Sequence, residues 1–265
     1  MNIIDLDEQH FPLYLVCLED WSELPKEAGD RKEKWFRQMK EKGLRVKLAL
    51  DDKGTVGGMI QYLPIEHSTV EGAGLYFITC IWVHGHKQGR GNLQGKGMGK
   101  ALLLAAEEDA RSLGAKGIAA WGLILPIWMR AGWYKKHGYR TVDRIGIAGL
   151  LWKPFAADAQ PPRWIRQKAQ PPLEPNKVTV SVFCSGWCTA QNMVFERAKR
   201  AAAEPEFANR VAFREIDTAD REVLHRWGIS DSIFINNKEI RTGPPPSYQQ
   251  IKNLIGKQVK KMNFT

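Results

Sequence analysis

An α/β chain in two parts is what the 265-residue sequence predicts: an α+β domain on a mixed central sheet, then a smaller α/β domain. Three observations carry this. The run "LYFITCIWV" (75–83) is apolar on both faces, as a central strand covered on each side requires, and it leads into a glycine loop and an amphipathic helix. Residues 155–175, "FAADAQPPRWIRQKAQPPLEP", hold two Pro-Pro pairs and little apolar periodicity, which reads as a semi-stiff linker. After it, strand-like and helix-like stretches alternate to the end. The expected boundaries are 1–155, a linker at 156–176, and 177–265.

The elements follow in order. "DRKEKWFRQMKEKG" (30–43) reads as a helix with Trp35, Phe36 and Met39 on one side and Gly43 as its stop. "LRVKLALDDKGTVGGMIQYLPI" (44–65) reads as a hairpin turning through Asp51, Asp52, Lys53 and Gly54. Beyond the glycine loop, Leu102, Leu103, Ala106, Ala110 and Leu113 recur at helical spacing, and Gly114 closes that helix. "GIAAWGLIL" (117–125) is a second buried strand, followed by a helix-like "IWMRAGWYKKHGY" (127–139). In the last part the expected order is strand "KVTVSVF", helix "TAQNMVFERAKRAAAE", strand "RVAFREIDT", helix "REVLHRWG", strand "SIFINNKEI" and helix "SYQQIKNLIGKQVKK".

Composition narrows the function. Hydrophobic residues make up 43% and there are ten tryptophans, enough for ordinary cores. The net charge of +10 favours a polyanionic partner: nucleic acid, anionic lipid or a phosphorylated cofactor. Nucleic acid is disfavoured, because the cations are spread along the chain and the aromatics lie inside apolar runs. No run approaches the ~18 apolar residues of a membrane span. The acidic start "MNIIDLDEQH" lacks a basic n-region, so no signal peptide is expected. Four cysteines, Cys17, Cys80, Cys184 and Cys188, are too few for a disulfide framework, so a cytoplasmic protein is expected.

The loop "HKQGRGNLQGKGMGK" (86–100) is a generic anion site, where first-turn amides and the helix dipole face the ligand. A nucleotide P-loop is excluded: Gln94 stands five before Gly99, and Ala101 replaces the hydroxyl residue after Lys100. A dinucleotide fingerprint is excluded by Leu102 in the third glycine position. Gln94-Gly95-Lys96-Gly97-Met98-Gly99 does match Q/R-x-x-G-x-G/A, and "GWYKKHGY" (132–139) is similar to F-Y-x-x-x-G-F. On these residues the chain resembles the GCN5-related N-acetyltransferases, the GNAT family.

That resemblance implies a GNAT fold over 1–155 and an acetyltransferase using acetyl-CoA as co-substrate. Its pyrophosphate would lie on Gln94, Gly95, Lys96, Gly97, Met98, Gly99 and Lys100, with Arg90 and Lys87 adding charge. Tyr134 takes the general-acid position, and main-chain N–H around Trp82 and Val83 polarises the thioester carbonyl. The acceptor is an amine, most simply of a small molecule. Glu66 and His67 are the first candidates for the base and Glu71 the next. The competing reading is an acyl-CoA-binding or thiol-redox-sensing regulator.

Three features stay open. The insertion "HGHKQGRGNL" (84–93) is a basic flap over the cofactor or a mobile solvated loop. His84 and His86 lack a third metal ligand nearby. Trp121, Trp128 and Trp133 line an acceptor pocket or fill the core.

In the second part, "FCSGWCTAQNM" aligns with the thioredoxin-type F-x-x-x-W-C-x-x-C-x-M through Phe183, Trp187, Cys188 and Met193, and "FINNKEIRTG" resembles a glutaredoxin strand and turn. Gln191 stands at the resolving-cysteine position, and Asp231 or Ser232 where a cis-proline is usual. The resemblance implies a structural or ligand-binding thioredoxin fold first, a redox switch through Cys188 alone or with Cys184 second, and a metal or electrophile site third. The whole chain resembles the YoaP-type acetyltransferases, on "CIWVHG", "GKGMGKALL" and "LLWKPF".

Overall fold

The computed structural model describes residues 1–125, 129–240 and 242–262. The chain forms two compact units, Met1–Trp21 with Phe36–Ile165, and Ser22–Trp35 with Arg166–Thr265. The first is built from β1 (Asn2–Asp5), α1 (Phe11–Leu15), the second half of α2 (Arg31–Lys40), β2 (Arg45–Leu50), β3 (Val56–Pro64), β4 (Val70–Glu71), β5 (Leu75–Val83), α3 (Met98–Ser112), β6 (Gly117–Leu123), α4 (Ala131–Lys136), β7 (Arg140–Ile145), β8 (Ala148–Pro154) and β9 (Arg163–Trp164). Its seven-stranded sheet has the order β1-β2-β3-β5-β6-β8-β7. Only β5 and β6 run parallel; the other neighbours are antiparallel. This is the mixed central sheet that the sequence predicts.

Residues paired across neighbouring strands share a face. Ile60, Tyr62 and Ile78 pack with Met98, Leu102, Leu103, Ala106 and Tyr134, so α3 and α4 cover one face. Gln61 points to the other, where the Tyr14 hydroxyl of α1 donates to its Oε1 at 2.8 Å. Gly57 and Gly58 let the first face close. A Cβ on Gly58 would stand 2.9 Å from Leu102 Cδ1, and one on Gly57 2.4 Å from Leu93 Cδ1. Of the expected late helix only Ala131–Lys136 is helical; Ile127 and Trp128 lie outside the described residues. Within the stretch read as linker, β9 pairs antiparallel with β4.

The second unit contains β10 (Val178–Cys184), α5 (Thr189–Ala202), β11 (Val211–Asp217), α6 (Arg221–Trp227), β12 (Ser232–Ile235), β13 (Lys238–Ile240) and α7 (Tyr248–Met262), with the segment Ser22–Trp35. Its sheet order is β11-β10-β12-β13, with β10 and β11 parallel and the rest antiparallel. β10 is buried throughout. The stretch expected as one strand, "SIFINNKEI", is two, because Asn236 takes a left-handed φ of 53° and turns the chain back. Among the described residues no helix is long and apolar enough to cross a membrane.

Candidate active site

The glycine loop joins β5 to α3. Gly95 and Gly97 have φ of 77° and 86°, a region that costs a residue with a Cβ about 1–2 kcal/mol. Gly97 caps α3 with no side chain on the cap, and the first intrahelical bond is Ala101 N to Gly97 O at 3.0 Å. The amides of Met98, Gly99 and Lys100 therefore precede the hydrogen-bonded ladder, where an anion meets both N–H groups and the helix dipole. Lys96 and Lys100 are exposed beside them, while Met98 is buried and anchors the turn. A Cβ at Gly95 or Gly97 would meet nothing within 4 Å, so the space above the bend is open. Gln94 has a different task. Its Nε2 donates to Val83 O at 3.1 Å and ties the loop to the strand end.

Where the loop leaves β5, the sheet divides. β5 pairs with β6 only from Leu75↔Gly117 to Ile78↔Ala120. Beyond Ile78 the two strands have no ladder between them, although β6 stays paired to β8 as far as Leu123. The division coincides with a bulge: Gln61 faces Cys80 and Tyr62 faces Ile78, leaving Thr79 unmatched. Side chains hold the bulge on both sides. Gln61 Nε2 donates to Thr79 Oγ1 at 2.8 Å, and the Trp121 indole N–H donates to Thr79 O at 2.8 Å, spanning the gap. The main chain around Trp82 and Val83 borders the same opening.

Tyr134 packs in the core cluster that contains Ile78 and Ala120, the last pair of the β5–β6 ladder. It is 1% exposed, and its hydroxyl has no hydrogen-bond partner. Burial, with the Cys80 thiol as a second cause, pushes its phenol well above the usual range, so it stays protonated at neutral pH. Trp133, its neighbour, packs edge-on against it and lies near Gly99 at the start of α3.

The expected base candidates are elsewhere. Glu66 accepts from Gly74 N at 2.8 Å, next to the first residue of β5, whereas the loop follows the last. A nine-residue strand separates them, roughly 25–30 Å. His67 shares the short turn of Glu66, and Glu71 pairs with Arg163. The insertion 84–93 is tied to the rest of the fold at His84 and Arg90, while residues 86–89 are exposed. His84 is fully buried, accepting at Nε2 from the Trp21 indole at 3.1 Å and donating from Nδ1 to Gly91 O at 2.8 Å. Arg90 is bound to Asp20 at 2.8 Å and to Val56 O, so its charge is engaged within the protein. Beside them His86 lies 3.3 Å from Glu19, with Trp21 and Trp82 around it. Sequence reading missed Glu19 and Trp21, which are 63 residues or more from the residues they meet in the loop; the aromatic-acidic string "CLEDW" is the only hint. Among the described residues no group of three His, Cys, Asp or Glu is placed to hold a metal.

In the second unit, Cys188 is the N-cap residue of α5 and half-buried. Cys184 is buried between Arg31 Nη1 at 3.7 Å and Asn192 Oδ1 at 3.6 Å, and burial pushes its thiol far up. Arg31 also binds Glu196 at 2.8 Å and Glu215 at 2.9 Å. Asp231 holds the loop before Cys188, accepting from Ser185 N at 3.0 Å, Ser185 Oγ at 2.9 Å and the Trp187 indole at 3.1 Å.

Among solved structures, a ribosomal-protein-alanine N-acetyltransferase from Brucella melitensis is 17% identical over 58% of this chain and 100% of its own, with a TM-score of 0.45. A GNAT-family acetyltransferase of that organism, in complex with acetyl-CoA, is 18% identical over 60% and 90%, with 0.40. The PaiA N-acetyltransferase of Thermoplasma acidophilum, in complex with coenzyme A, is 19% identical over 58% and 100%, with 0.39. No curated protein matches the sequence. The description of the acetyltransferase (GNAT) family matches residues 4–139, which is more than half of the chain and contains the loop, the divided strands and Tyr134. The chain belongs to the acetyltransferase (GNAT) family.

Proposed function

We propose that this chain transfers the acetyl group of acetyl-CoA to the amine of a small molecule by direct attack on the thioester. The observation that carries the reading is the conjunction of two features: a left-handed glycine cap with free first-turn amides, and a ladder between parallel strands that ends at Ile78 and Ala120, in the same cluster as a buried, unpartnered phenol. The amides of Met98, Gly99 and Lys100, with the charges of Lys96 and Lys100, fit a pyrophosphate. Main-chain groups around Trp82 and Val83 are suited to polarise the thioester carbonyl. The Tyr134 phenol is suited to give its proton to the departing thiolate.

For the second unit we infer a thioredoxin-like, YoaP-type domain. The order β10-α5-β11-α6-β12-β13-α7 and the position of Cys188 at a helix N-terminus support this. The contacts of Cys184 favour a structural thiol, which leaves redox chemistry to Cys188 alone. All four cysteines are free, in keeping with a cytoplasmic location.

Calorimetry with acetyl-CoA, followed by thiol release in the presence of amines, tests the main reading. Binding and amine-dependent release are expected, and Gly97→Glu should abolish both. Binding without release on any amine would favour the regulatory reading; no binding at all would end both.

A further inference from the structure

The cofactor loop, α3 and Tyr134 belong to one face of the sheet, so an amine reaching the thioester through the gap comes from the other. On that other face, in register with Met59 and two residues beyond Cys80, stands Trp82. Around Trp82 the structure collects a set of groups that the core does not use. His86 lies with its ring centroid 6.3 Å from that of Trp82 and 5.6 Å from that of Trp21. Its side chain is 47% exposed, and its Nε2 is 3.3 Å from Glu19 Oε1. Trp21 is 41% exposed, yet its ring is fixed by its bond to the buried His84 and by Gly89, where a Cβ would stand 2.2 Å from Trp21 Cδ1. The Trp82 indole N–H is buried and has no hydrogen-bond partner.

We propose that Trp21, Trp82, His86 and Glu19 form the acceptor subsite, in which His86, oriented by Glu19, takes the proton from a monoammonium substrate with an apolar or aromatic body. This rests on the reading above. Two aromatic walls and one carboxylate suit a single cation, by cation–π attraction and charge. A protein with a net charge of +10 repels polycations. His86 Nε2–H faces Glu19, so Nδ1 receives the proton from R–NH3⁺. The freed amine forms the N–C bond to the acetyl carbon and the C–S bond breaks. The thiolate takes the Tyr134 proton, and the second amine proton, shed as the amide forms, restores the phenol. The His86 proton goes to solvent. The titratable groups against His86 are Glu19 and His84; Asp20 and Arg90 engage each other, and Lys87, the next residue in the chain, is exposed.

The test uses the full chain, acetyl-CoA, and phenethylamine or spermidine as acceptor at a series of pH values. Phenethylamine should be acetylated in preference to spermidine. His86→Ala should lower kcat at neutral pH by about 10²-fold. That deficit should shrink as the pH rises toward the pKa of the free amine, where no base is needed. Glu19→Gln should show the same pH pattern more weakly, and Trp82→Ala should raise KM for the amine above its effect on kcat. Calorimetric affinity for acetyl-CoA should stay at the wild-type value in His86→Ala and Glu19→Gln, which also shows that they fold; a wild-type melting temperature shows the same for Trp82→Ala. Turnover of His86→Ala equal to wild type at every pH would overturn the base, and preference for spermidine the substrate class. Acetyl-CoA binding with neither amine acetylated overturns the subsite alone, whereas failure of the wild type to bind acetyl-CoA removes the underlying reading as well.

Discussion

Tyr134 keeps a phenol proton where water does not reach it, and its hydroxyl bonds to nothing in the protein. Replacing it by phenylalanine removes no internal hydrogen bond, so Tyr134→Phe should melt at the wild-type temperature and bind acetyl-CoA normally. Its kcat should fall by about 10²–10⁴-fold if the phenol is the acid; a rate within twofold of wild type would take Tyr134 out of the mechanism. Asp231 is a second buried group, and its behaviour runs with pH. Burial raises its carboxyl above the ordinary range in spite of the bonds from Ser185 and Trp187 that lower it. The folded state thus holds this proton more tightly than the unfolded chain. Its contribution is fully present below the ordinary aspartate value, near pH 4, and is lost as the pH rises through its own elevated value. Glu215 and Glu27, both lowered by arginines, contribute in the opposite sense and lose stability on acidification. Melting curves across this range should show a smaller loss with rising pH in Asp231→Asn than in wild type.

At the scale of elements, β3 and α3 approach closely because two consecutive glycines face the helix. Gly58→Val places branched carbons against Leu102 and Val83 and should destabilise the protein by about 1–3 kcal/mol, read as a lower urea midpoint with an unchanged slope. The sequence made β5, the loop and α3 legible because each has a local signal: unbroken apolar character, glycines in series, and helical spacing. The strand run "LYFITCIWV" and β5 coincide from Leu75 to Val83. The bulge at Thr79 was not legible. It depends on Gln61 and Trp121, brought to Thr79 from two other strands, and nothing in the string "FITC" marks it. Glu66 illustrates the same limit. Its place at the end of the strand "MIQYLPIEH" suggested a catalytic group, but β3 runs antiparallel to β5, so its last residues lie beside the first residues of β5, at the end of the strand opposite to the loop.

At the scale of the whole molecule, the chain crosses between its two units more than once. Ser22–Trp35 belongs with Arg166–Thr265, and the change of unit falls inside α2, between Trp35 and Phe36. A Pro-Pro-rich segment announces one crossing in the sequence. The other two, after Trp21 and inside α2, leave no compositional trace, because a segment that joins another core needs only the same apolar side chains as any other. Arg31 and Glu27 show what the early segment contributes to the later unit: Arg31 meets Glu196 and Glu215, and Glu27 meets Arg197 at 3.0 Å and Arg200 at 2.8 Å.

One consequence concerns what scissors do to such a chain. A protease that nicks the peptide near Gln167 separates two pieces on paper, yet the earlier piece carries a strap, Ser22–Trp35, that belongs to the same compact unit as the later one. The nicked protein should elute from a sizing column as one particle and come apart only in denaturant; two particles under native conditions would show that the strap does not hold. Cloning either half with a single stop or start codon should, for the same reason, yield fragments that express poorly.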